Sequence, residues 1–149
     1  MLEITDPLIG RFYQYWLEKR GSGRYPARAA LDPIDFRYAL PDVVLVEVHR
    51  SSQSTEGLGF HYKVMGTNIV SIDGYDLTNK TLEDLPEPEY RERIRKTWTE
   101  VYDTGEPRYY VRDVILDHRI RRYEVLALPL ASDGETIDML ITVQRRTPG

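Results

Sequence analysis

Apolar positions fall three and four residues apart in two stretches of the chain and on alternate residues in several others, a pattern that separates helices from strands. Leu8, Ile9, Phe12, Tyr13, Trp16 and Leu17 share one helical face. Asp6-Pro7 supplies a cap and a first-turn proline, Lys19 and Arg20 sit in the last turn, and Gly21 is the stop, so a helix is expected over these residues. A second long helix opens at Pro88, carries Tyr90, Ile94, Trp98, Val101 and Tyr102 on one face, and ends at Gly105. Asp32-Pro33 repeats the cap signature and predicts a short helix ending before Pro41. Thr67 offers a cap for another, running through Ile72 and closed by Gly74.

The strands are read from the other period. Val43-Val44-Leu45-Val46 is uninterrupted, the mark of a strand covered on both faces at its start, with the N-terminal helix as a candidate outer cover. A polar loop from Arg50 to Gly59 follows. Phe60, Tyr62 and Val64 then alternate with His61, Lys63 and Met65 up to Gly66. Three more strands are expected at about 107–116, 120–130 and 136–145, the last two joined at Asp133-Gly134. In the last strand Ile137, Met139, Ile141 and Val143 mark the apolar face.

The sequence resembles a PAS-like family of small proteobacterial proteins without known function, within the PAS superfamily. The residues that carry the likeness are Leu31-Asp32-Pro33 and Leu40-Pro41, Val64-Met65-Gly66-Thr67, Asp76-Leu77-Thr78, and Tyr123 through Ala131. Their order and spacing span about residues 31 to 146. The resemblance implies an α+β fold: a five-stranded antiparallel sheet with helices on one face, preceded here by the amphipathic N-terminal helix. It also implies a sensory or regulatory role rather than catalysis. On this reading residues 1–30 form the N-terminal helix and connector and 31–149 the PAS-like domain, together one structural unit.

Composition narrows the choice of chemistry. The chain has 149 residues, the size of one domain. Its net charge is −4, and acids and bases are interspersed without a basic stripe, which disfavours nucleic acid as a partner. No apolar run is long enough to span a membrane and the start Met1-Leu2-Glu3 lacks a signal-peptide layout, so a soluble cytoplasmic protein is expected. Zero cysteines remove the cysteinyl flavin adduct, thioester-linked chromophores and thiolate metal sites together. The helix from Pro88 to Thr104 contains neither His nor Met, which argues against an axially ligated haem. No cofactor is expected, although a noncovalently held FAD needs none of these residues. His49 and His61 fall on the polar side of paired strands beside Glu47 and Lys63, without tight ligand spacing, and read as surface residues rather than a metal site. Nucleophile elbows, phosphate loops and zinc-protease motifs are missing.

The candidate pocket is aromatic. Tyr90, Ile94, Trp98 and Tyr102 on the long helix should face Phe60, Tyr62, Val64, Met139 and Ile141 on the sheet, forming either plain core or a site for a small molecule with tyrosine hydroxyls as its polar groups. Asp113, Asp117 and Glu124 with Arg112, Arg121 and Arg122 read as cross-strand pairs on a solvent face. Leu8, Phe12 and Trp16 either complete the core or pair with a second copy, and a homodimer through this helix is the favoured expectation. The leading reading is a stand-alone sensory or regulatory domain binding a small molecule or protein partner. The alternatives are a protein-interaction module without ligand and a small enzyme of the ketosteroid-isomerase kind.

Overall fold

The computed structural model describes residues 2–50 and 57–147; most of the expected polar loop, residues 51–56, lies outside them. Five strands, β1 (Val43–Arg50), β2 (Leu58–Met65), β3 (Arg108–Leu116), β4 (Arg119–Leu130) and β5 (Met139–Arg146), form one antiparallel sheet in the order β2-β1-β5-β4-β3. The helices are α1 (Pro7–Arg20), α2 (Thr67–Asp73) and α3 (Pro88–Thr104).

As expected, α3 packs on one face of the sheet, and the N-terminal helix covers the other. Phe60 and Tyr62 point to α3, whose Trp98 ring stands 5.4 and 5.8 Å from theirs. On the opposite face α1 buries Ile9, Phe12 and Trp16, and the Trp16 indole N–H donates to the Pro129 carbonyl at 3.0 Å. Asp6 caps α1 by accepting from the Leu8 and Ile9 amides at 2.9 and 3.0 Å. The inner strands β1, β4 and β5 are thus sandwiched, which explains why Val43–Val46 and Val125–Leu130 are buried without interruption. Phe12 and Trp16 are 0% and 2% exposed within their own chain, so these rings complete this chain's own core. Leu8, Tyr13 and Leu17 are half-buried against the same core.

Two local expectations also change. Residues 33–39 form successive turns rather than a helix, because the Asp32 carboxylate accepts from Ile34 N–H and Phe36 docks edge-on against Phe12 at 5.5 Å. A 3₁₀ turn at Leu40–Asp42 then leads into β1. Thr67 is not the cap of α2 but its first residue; Gly66 takes the cap position without a side-chain bond. A Cβ at Gly66 would stand 2.3 Å from the Pro41 carbonyl oxygen, so the backbone approach there requires glycine. This contact joins two of the segments that carry the family resemblance.

Candidate functional site

The sheet's α3 face carries a polar cluster inside an apolar wall. Arg112 on β3 shares a face with Tyr110, and Gln144 on β5 lies across β4 from it through Val125. Asp73, the last residue of α2, meets Arg112 at 2.5 Å. Their side chains are 11% and 4% exposed, so this is a buried ion pair and not one of the solvent-face pairs expected for Arg112. Arg112 also donates to Gln144 Oε1 at 3.3 Å and lies 4.2 Å from the centre of the Tyr90 ring. Its neighbours Asp113 and Arg122 do pair in solvent as expected, at 2.9 Å.

Burial pushes the Asp73 carboxyl above its usual range, and the Arg112 guanidinium opposes that shift. Burial raises the hydroxyls of Tyr62 and Tyr90 as well, and takes Tyr110 to about 12 against the pull of Arg112. All three stay protonated at neutral pH and can donate a hydrogen bond. Two further donors are buried beside them: Gln144 Nε2 makes no hydrogen bond, and Trp98 Nε1 has the Tyr110 hydroxyl as its neighbour without a well-formed bond to it. Each such group costs roughly 1–3 kcal/mol until an acceptor reaches it. They border a cavity of about 30 Å³ walled by Tyr62, Tyr90, Ile94, Trp98, Tyr110 and Val125, with Asp73, Arg112, Thr142 and Gln144 as its polar side. Tyr90, Ile94, Tyr110 and Arg112 also line a groove of about 610 Å³ between α3 and β3, where Arg93, Lys96, Glu100 and Asp113 add charge.

Of the residues expected to form the pocket, the structure brings together Phe60, Tyr62, Tyr90, Ile94 and Trp98. It separates Val64, Met139 and Ile141. A bulge between Leu45 and Val46 pairs Leu45 with Val64 but Val46 with Tyr62, so Val64 turns to the other face. There Val64 and Ile141 join Phe36, Leu40, Val43 and Leu45 around an apolar groove of about 510 Å³, and Met139 shares the Ile141 face. Tyr102 stands apart, accepting from Arg50 Nε at 3.3 Å. Asp73, Tyr110 and Gln144 carry no expectation from the sequence and Arg112 was expected on the solvent face, although the alternation of Tyr110 and Arg112 in β3 is a usable signal.

A second polar grouping lies on β1 and β2. Glu47 pairs directly with His61 in the register, and His49 Nε2 meets Glu47 Oε2 at 3.0 Å. One ligand-type atom from each of Glu47, His49 and His61 lies within 4.8 Å of the others. Lys63 reaches Glu47 Oε1 at 3.3 Å.

Among the described residues no helix is long and apolar enough to cross a membrane. No curated protein matches the sequence. Among solved structures the fold is similar to the PAS domain of Bordetella pertussis BvgS, with a TM-score of 0.56 at 14% identity over 94% of this chain and 88% of that one. It is also similar to VqmA bound to DPO, with a TM-score of 0.58 at 15% identity over 76% of this chain and 56% of that one. A Vibrio cholera VqmA–ligand–DNA complex gives 0.57 at 15% identity, over 76% of this chain and 49% of that one. The chain spans about half the length of VqmA. At such identities the likeness concerns the fold. The sequence profile of the PAS_5 family, described as a PAS domain, matches residues 5–143. With that match running from before α1 into β5, over the sheet and the helices on both its faces, the chain belongs to the PAS_5 family of PAS domains.

Proposed function

We propose that this chain is a non-catalytic sensory domain that binds a small polar molecule between α3 and β3 and passes its state to a partner protein. The observation that carries this reading is the buried donor Gln144 Nε2, which makes no hydrogen bond, with Trp98 Nε1 and the Tyr110 hydroxyl next to it and the Asp73–Arg112 pair alongside. Donors left open in an apolar wall are what a site for an acceptor-bearing ligand requires. The inner cavity of about 30 Å³ has room for one small group of that molecule, and the groove of about 610 Å³ has room for the rest. The likeness to VqmA, solved with DPO bound, supports small-molecule sensing by analogy of fold. Catalysis finds no support at the same site: the buried carboxylate, Asp73, is paired with Arg112 rather than free as the ketosteroid-isomerase reading needs.

The test begins with native mass spectrometry of the purified protein for a copurifying molecule, followed by a metabolite screen by thermal shift. A bound mass or a stabilising compound is expected, and Trp98→Phe and Gln144→Met should weaken the response by about tenfold each, the equivalent of one lost hydrogen bond. A response unaffected by both substitutions, or no response at all, would overturn the proposal. In that event docking of a protein becomes the better reading, since Val111, Ile115 and Ile120 expose apolar side chains on β3 and β4.

A further inference from the structure

Among the described residues, the chemistry that the sensory reading does not use is concentrated on the outer face of β1 and β2. Glu47 and His49 are two apart on one strand, so both side chains leave the same face. The register sets His61 opposite Glu47 and sets Gly59 opposite His49, which leaves the His49 ring space beside it instead of a facing side chain. The imidazole rings of His49 and His61 stand 6.3 Å apart, centre to centre. The three ligand-type atoms already lie within 4.8 Å of one another. Bonds of about 2.0–2.1 Å to a tetrahedral zinc place ligand atoms roughly 3.3 Å apart. His49 is 57% exposed and Glu47 32%, which leaves both side chains room to rotate toward that spacing. Two imidazoles and a carboxylate are the donor set of a borderline transition cation, and not of calcium or magnesium, which take oxygen ligands.

We infer that Glu47, His49 and His61 form a binding site for a divalent transition metal of the zinc class, with its fourth position open to water or to a ligand from another molecule. Such a site fastens β1 to β2 on the face away from α3. It is separate from the α3–β3 groove, so its failure leaves the sensory reading untouched and the reverse also holds. Lys63 holds Glu47 at 3.3 Å and competes with the metal for that carboxylate.

The full chain is titrated with Zn²⁺ by calorimetry and with Co²⁺ by visible absorption, which reports the coordination geometry. One equivalent should bind, with a Co²⁺ spectrum of imidazole coordination. Loss of a direct ligand costs at least as much as loss of an outer partner, so His49→Ala and His61→Ala should each weaken Zn²⁺ binding by about tenfold or more. Glu47→Gln should weaken it as well, and Lys63→Ala should tighten it by removing the competing cation. The chain holds three histidines. The third, His118, lies at the turn between β3 and β4, and His118→Ala should change nothing. Absence of stoichiometric binding, equal losses in the His118 and His49 variants, or binding indifferent to His61 would overturn the assignment. Because these side chains lie outside the core, circular dichroism of the variants should match the parent, so loss of binding reads on the site and not on folding.

Discussion

Arg112 is the residue on which the α3–β3 site depends, and its pairing sets a pH signature. Asp73 has its carboxyl held above the unfolded value by burial, with Arg112 pulling it back. A carboxyl raised by folding contributes stability that is complete below its unfolded pKa and is lost as pH rises through the folded one. In Arg112→Met the opposing charge is gone, the folded pKa climbs further, and the loss extends over a wider span toward neutrality. Breaking a buried pair by removing one partner costs about 3–5 kcal/mol while the other stays charged. Arg112→Met should therefore lose about that much near pH 7 and recover much of it near pH 5, where Asp73 can protonate. Urea unfolding of parent and variant at both pH values measures this. A deficit equal at both would mean that Asp73 does not respond to Arg112.

Helix α1 illustrates what an element's pattern announces and what it withholds. Its boundaries, cap and buried stripe follow from Asp6-Pro7, the three- and four-residue spacing and Gly21, and all appear as expected. What covers the stripe does not follow from spacing, since a second copy and its own sheet offer the same apolar surface. The two possibilities differ in a measurable way. Trp16→Ala removes a buried ring and should cost about 3–5 kcal/mol by thermal or chemical unfolding. Trp16→Phe, which keeps most of the ring and loses the bond to Pro129, should cost about 0.5–1.5 kcal/mol from that bond. Neither should alter the sedimentation behaviour of the folded protein; a change of association state with unchanged stability would return the helix to an interface role. The five strands, α1 and α3 were legible because each depends on its own periodicity. Val64 was not, because the bulge at Leu45/Val46 is an event of pairing between two strands. Nor was Arg112, whose partner Asp73 lies 39 residues away and whose burial depends on where α2 ends. Residues 33–39 failed for a similar reason: a cap signature selects a helix start, but the docking of Phe36 on Phe12 bends the chain first.

At the scale of the molecule the two edges of the sheet are treated differently. The β2 edge is covered by residues 79–81, with Tyr62 N–H donating to the Lys80 carbonyl at 2.8 Å and Asn79 N–H donating to the Tyr62 carbonyl at 2.9 Å. Among the described residues no strand lies along the outer edge of β3, and β5 pairs with β4 from Tyr123 onward, with the Thr147 N–H donating to the Arg122 carbonyl at 2.8 Å. Residues 113–121 of β3 and β4 are therefore a two-stranded arm, with Ile115 and Ile120 at 75% and 70% exposure and Asp117 and His118 at positive φ in its turn. Isolated two-stranded ribbons are marginal in water, so the arm should exchange its amide hydrogens at least about a hundredfold faster than residues 125–130 in the sandwiched part of β4. Arg112 stands at the root of this arm and holds it to the end of α2 through Asp73. Under conditions where Arg112→Met remains folded, exchange should accelerate in the arm and at the end of α2, while β1 and β5 stay protected. That pattern would show the site and the open edge to be one mechanical unit, joined by the same ion pair that borders the cavity. An acceleration spread evenly over the sheet would instead reduce Arg112 to a contributor to global stability, and the edge would have no private connection to the site.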